Sequence, residues 1–138
     1  MGVTETLCRY AAETVYDDIP KEAVEIAKER ILETVGVTLA GAQETCGAGK
    51  KVIELVREMG GAPNSTVIGS NFKTSSPSAA FANGTSAMTL DLDDTIIEPT
   101  NHPSASFIPA VLALGEETKA SGKMVLEAYA MGKKLLPR

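Results

Sequence analysis

The stretch PKEAVEIAKERILETVGVTLA, residues 20–40, decides the fold class. In its first half Val24, Ala27 and Ile31 recur at helical spacing, and Lys21, Glu22, Glu25, Lys28 and Glu29 fall on the other side. That pattern predicts an amphipathic helix opened by Pro20, whose fixed φ suits a first helical turn. In the second half, Ile31 to Ala40, apolar residues cover nearly the whole circumference, which predicts burial on several sides. A glycine inside such a helix costs about 1 kcal/mol relative to alanine. Gly36 therefore reads either as the point where another helix comes close or as a tolerated glycine.

Working outward, residues 4–16 repeat the pattern more briefly, with Leu7, Ala11 and Val15 on one side, Thr4 as a cap and Asp17-Asp18-Ile19-Pro20 as a stop. Residues 41–47 read as a loop. Residues 48–59 form a third helix with Val52, Ile53, Leu55 and Val56 apolar, ended by Gly60-Gly61-Ala62-Pro63-Asn64. Ser65 to Gly69 is the β-like run; with Ser70-Asn71 as turn and Phe72 to Thr74 it makes a small hairpin, too small to found a sheet. Residues 76–90 are a helix of small side chains, with Asn83-Gly84 as the place where it could break. Ser104 to Ala120 is a mostly apolar helix, its core side Phe107, Ile108, Val111, Leu112 and Leu114, with Ser104 or Ser106 as cap and Pro109 in its early turns. After Ser121-Gly122, another helix starts at Lys123. The fold class that follows is all-α: a helical bundle-like domain with a minor β-hairpin near residues 65–74.

Composition narrows the function. At 138 residues the chain is a single domain, and with 43% hydrophobic residues, three Tyr, three Phe and no Trp its core must be aliphatic. The net charge of −5, with no basic stripe, argues against nucleic acid. Two thiols, Cys8 and Cys46, fall short of a disulfide framework and point to the reducing cytoplasm. No apolar run reaches bilayer length and no charged-then-apolar leader opens the chain, so no membrane partner is expected. The start MGVTET fits a loose N-myristoylation pattern, but a single acyl chain without a basic patch anchors weakly, and a plain helix start is the preferred reading.

The chemistry concentrates in NGTSAMTLDLDDTIIEPTNHP, residues 83–103. It packs Asp91, Asp93, Asp94 and Thr95 into five positions, breaks at Pro99 and closes on His102, the one histidine of the protein. If a helix persists through this run, Asp91, Asp94 and Thr95 share a face and Asp93 points elsewhere. Crowded carboxylates raise one another's pKa, which suits a group that must give and take protons near neutrality. His102 precedes Pro103 and a helix start, whose free N–H groups and positive potential favour a substrate carboxylate. Two other readings use the same letters. Aspartates are common in loops and caps, and a histidine before proline is often a plain loop residue. Closely spaced aspartates also hold magnesium, although that arrangement wants a second acidic cluster, and the sequence has none.

The segments AAFANG (79–84), LDLDDT (90–95), HPS (102–104), PAVLALGEE (109–117) and SG (121–122) occur in an order that resembles the MmgE/PrpD family, which includes 2-methylcitrate dehydratase, cis-aconitate decarboxylase and iminodisuccinate epimerase. ILETVGVTLAGA (31–42) and STVIG (65–69) are similar to the N-terminal region of that family. The resemblance implies a large all-helical domain and a smaller α/β domain, usually in a homodimer, acting without metal or organic cofactor on small di- and tricarboxylic acids. It implies catalytic roles for Asp91 and His102 and substrate binding by Thr95, Asp94 and Ser104. Within the family a hydro-lyase of the 2-methylcitrate dehydratase kind, serving propionate catabolism, is the first expectation, and a decarboxylase or epimerase the next.

The chain departs from the family pattern in three ways. Met88 stands where members commonly carry a histidine, and the loop from Asp91 to His102 is slightly longer than the family's. Family chains are also several times longer than 138 residues. The expectation is that residues 1–138 are the first part of the large helical domain, inactive alone, with a non-catalytic helical remnant or dimerisation module as the alternative. Such a part exposes apolar surface and should self-associate.

Overall fold

The computed structural model describes residues 2–43, 47–95 and 101–134. Helix α1 spans Val3–Glu13 and is followed by a 3-10 turn at Tyr16–Asp18. Then come α2 (Lys21–Gln43), α3 (Ala48–Met59), strands β1 (Ser65–Thr66) and β2 (Lys73–Thr74), α4 (Ser76–Met88), α5 (Pro103–Thr118) and α6 (Gly122–Lys134). The strands pair antiparallel, Ser65 opposite Thr74 and Thr66 opposite Lys73. The architecture is thus all-α with one small hairpin, as the periodicity predicts. No helix among the described residues is long and apolar enough to cross a membrane.

Helix α4 is the hub, and its small side chains are the reason. Ala79, Ala82, Ser86 and Ala87 are fully buried, and α2, α3 and α5 all pack against this one helix. The closest approach is at Gly41 of α2, where a Cβ would stand 2.0 Å from the Ser86 carbonyl oxygen. At Gly84 a Cβ would come within 3.1 Å of the Ala105 carbonyl. Pro109 has no N–H to give that carbonyl, and the Ala105 oxygen lies against the glycine face of α4. Beside this hub one apolar cluster joins Ala42, Ile53, Val56, Val67, Ala79, Ala82 and Ala113. A second joins Ala27, Ile108 and Tyr129, flanked by Ile31, Phe107, Leu112 and Leu126. Each fully buried aliphatic side chain such as Val56 or Ile108 contributes about 1.5–3 kcal/mol.

The hairpin survives its shortness because side chains complete its backbone bonding. Asn83 of α4 donates from Nδ2 to the Thr66 carbonyl (2.9 Å) and accepts the Ile68 N–H at Oδ1 (2.8 Å). Ser65 donates to the Ala113 carbonyl, and Glu116 of α5 accepts from the Thr66 backbone, the Thr66 hydroxyl and Lys73.

Several local expectations are corrected. Helix α1 stops at Glu13, and Gly2 rather than Thr4 is its cap residue, with no side-chain bond. Helix α2 continues to Gln43 through the start of the expected loop, because Gly41 and Ala42 are buried against α3 and α4. A Cβ at Gly36 would meet nothing within 4 Å, so the close approach lies at Gly41. The second half of α2 is not buried all round: Leu32 is 75% and Leu39 50% exposed. Leu55 and Leu114 also face outward, and Ile53 and Ala113 take the inward places. Helix α4 runs unbroken through Asn83-Gly84, and α5 starts one residue before Ser104, with His102 as its cap residue. The break expected at Pro99, the thiol Cys46 and the tail 135–138 lie outside the described residues.

Candidate functional site

Helical geometry does not persist into the acidic run. Helix α4 ends at Met88, the Asp91 N–H bonds back to the Met88 carbonyl (3.2 Å), and Asp91 turns left-handed at φ 53°. Aspartate tolerates that conformation better than most residues. The chain therefore leaves the helix direction, and the expected sharing of faces is replaced by another. Asp93 turns inward until its side chain is 1% exposed, Asp94 is half-buried, and Asp91 and Thr95 stay at the surface. The head of the segment is fixed to α3 through Thr89, whose hydroxyl oxygen accepts the Gly49 N–H (3.1 Å) and donates to the Thr85 carbonyl (2.8 Å).

Asp94 secures the start of α5. The first N–H groups of a helix lack intrahelical partners, and the Asp94 carboxylate accepts one of them, from Ser104, at 3.0 Å. Its other oxygen takes Lys133 of α6 in an ion pair. Burial alone would raise the Asp94 pKa, but its bonds to Lys133 and Ser104, with the charge of Lys133, hold the carboxyl below its ordinary value. Ser104 is 1% exposed, and its hydroxyl shares a 2.8 Å hydrogen bond with the buried Tyr129 hydroxyl. Asp94 and Ser104 together clamp α5 to α6.

Asp91, Asp93 and His102 come together. One ligand atom from each lies within 4.8 Å of the other two, and His102 Nδ1 is 3.1 Å from Asp93 Oδ2. Asp91 and His102 are therefore neighbours, as expected, but the histidine's direct partner is Asp93, which helical spacing turned away. A proton carried on Nδ1 would be donated to the Asp93 oxygen facing it and would leave Nε2 with its lone pair. The imidazole side chain is 24% exposed and so can reach a ligand. The arrangement is a buried aspartate orienting a histidine next to a surface aspartate, a geometry suited to moving a proton. The sequence carried no direct signal for Asp93. The alternation in LDLDDT suggests apolar residues inward, whereas Leu92 is 63% exposed and Asp93 buried. Met88 is half-exposed and lines a shallow hollow with Phe81, Gly84, Thr85, Ala105 and Ser106.

Comparison with known proteins agrees with this frame. The chain matches the MmgE/PrpD N-terminal domain over residues 5–135. Two curated cis-aconitate decarboxylases, from Aspergillus terreus and from its strain NIH 2624 / FGSC A1156, are each 29% identical over 124 residues. The match covers 90% of this chain and 25% of theirs, so the chain spans about a quarter of the length of these relatives. With almost every residue inside that domain match, the chain belongs to the MmgE/PrpD family.

Proposed function

We propose that the chain is the N-terminal part of a lyase that transfers a proton next to a carboxylate of a small di- or tricarboxylic acid. The observation that carries this reading is the gathering of Asp91, Asp93 and His102 at the start of α5. His102, held by Asp93, takes a proton through Nε2 from the carbon beside the substrate carboxylate. Asp91 serves as the acid that gives a proton to the leaving hydroxyl in a dehydration, and Thr95 orients the substrate. In a decarboxylation the same pair would protonate the carbon that keeps the electron pair as carbon dioxide departs. Dehydration of 2-methylcitrate is the first assignment. Decarboxylation of cis-aconitate is the second, favoured by the curated names of the two relatives. Epimerisation of a related diacid would draw on the same acid–base pair.

A polycarboxylate also needs cations, and Lys133, the cation bound at this segment, is already paired with Asp94. The 138-residue chain is therefore expected to turn nothing over by itself. The test expresses the full reading frame, screens 2-methylcitrate, cis-aconitate and iminodisuccinate, and compares Asp91→Asn and His102→Ala. Loss of turnover in both variants, with folding retained, supports the assignment. Undiminished turnover in either removes that residue from the mechanism. Dehydration of 2-methylcitrate by the 138-residue chain alone would overturn the expectation of inactivity.

A further inference from the structure

We infer that Asp91, Asp93 and His102 form a binding site for a borderline divalent transition-metal ion, with Zn2+ as its representative. The cluster supplies two carboxylates and one imidazole whose ligand atoms all lie within 4.8 Å of one another. Donors around a tetrahedral zinc stand about 3.4 Å apart, given zinc–nitrogen and zinc–oxygen bonds of about 2.1 Å. The His102–Asp93 pair, at 3.1 Å, is already at that spacing. Asp91 needs only a small side-chain movement, which its surface position permits.

A second observation points the same way. The Asp93 carboxylate is 1% exposed, and its Oδ1 is sealed from solvent without a hydrogen-bond partner among the described residues. A buried carboxylate with one unpaired oxygen, and another carboxylate beside it, is an arrangement that a cation stabilises. The donor set selects the ion. Magnesium and calcium prefer oxygen alone, whereas one nitrogen with two carboxylates suits zinc, manganese or ferrous iron, with positions left for water or ligand.

Metal binding goes beyond the acid–base reading and does not depend on it. One consequence does rest on that reading: an ion on Nδ1 leaves the ring proton on Nε2, so the lone pair that would take the substrate proton is lost and bound zinc would hold the pair idle.

The test is calorimetric titration of the 138-residue chain with Zn2+, in a Cys8→Ser, Cys46→Ser background that removes thiol competition. Co2+ then reports the coordination through its visible absorption. Saturable one-to-one binding is expected, weakened about tenfold or more by Asp91→Asn and by His102→Gln. Asp91 is at the surface, so its variant keeps the test open even where a change at Asp93 or His102 harms folding. Binding of unchanged strength in a folded Asp91→Asn or His102→Gln chain overturns the site, as does the absence of a saturable phase. None of these readouts uses turnover, so failure here and failure of the proposed reaction are separate results.

Discussion

Asp93 is carried into the interior with one oxygen bound to His102 and the other unpaired among the described residues. If its task is to hold the imidazole proton on Nδ1, Asp93→Asn in the full reading frame should preserve the shape and lower kcat by about 100-fold or more, with a smaller change in KM. Steady-state kinetics on the best substrate decide it, and an unchanged kcat would reduce Asp93 to a structural residue. The Ser104–Tyr129 bond makes a different prediction, about stability. Ser104→Ala or Tyr129→Phe each strands one buried hydroxyl and should cost about 1–3 kcal/mol, and the double variant should cost less than the sum. Urea unfolding of the three variants measures the coupling. At this scale the sequence was partly legible. Asp91 and His102 stood out because a lone histidine and an acidic run are unusual, and the structure does make them neighbours. Asp93 was illegible because its inward turn follows from the left-handed backbone at Asp91, and helical spacing says nothing once the helix has ended.

At the scale of elements, the long periodic segments were readable to within about a turn, since periodicity reports which face is covered. What periodicity cannot report is which glycine meets a neighbour. Gly36, central in the apolar run, faces open space, and Gly41, near the end of α2, touches α4. Gly41→Ala should therefore destabilise by about 3 kcal/mol or more, because the obstacle is the backbone carbonyl of Ser86 and no rotamer can yield. Gly36→Ala should stabilise by a few tenths to about 1 kcal/mol through helix propensity. Thermal unfolding of both variants tests the contrast, and equal effects would mean the α2–α4 approach is looser than described. Glu116 ties α5 to the hairpin and is acid-sensitive. Burial opposes its ionisation, but the two Thr66 donors and Lys73 outweigh burial and hold its carboxyl below the ordinary value of 4.5. A carboxyl lowered in the folded state adds stability above its unfolded pKa and loses it as the pH falls through the folded one. Stability should thus drop below about pH 4.5, and Glu116→Gln should flatten that part of the curve. The group is well exposed, so the effect is modest.

For the whole molecule, the decisive feature is apolar surface left uncovered. Ile26, Leu32 and Leu39 on α2 are 50%, 75% and 50% exposed, and Met59, Phe81, Met88 and Leu114 also lie open on other helices. Scattered exposed apolar residues are ordinary, but Leu32 and Leu39 belong to the run, Ile31 to Ala40, whose composition predicted burial on several sides. The mismatch between that composition and the observed exposure makes association through this face a prediction to test. Self-association of the 138-residue chain is the expected consequence, opposed by its net charge of −5. Salt should strengthen it twice over, by screening that charge and, with sulfate, by favouring burial of apolar area. Leu32→Gln with Leu39→Gln should shift the chain toward monomer and change its stability by no more than about 0.5 kcal/mol per site, since both side chains are solvated in the monomer. Sedimentation velocity across a concentration series, with and without sulfate, separates the outcomes. A wild-type chain that stays monomeric throughout would mean the α2 face needs no cover, and association that persists in the double variant would move the contact to another helix.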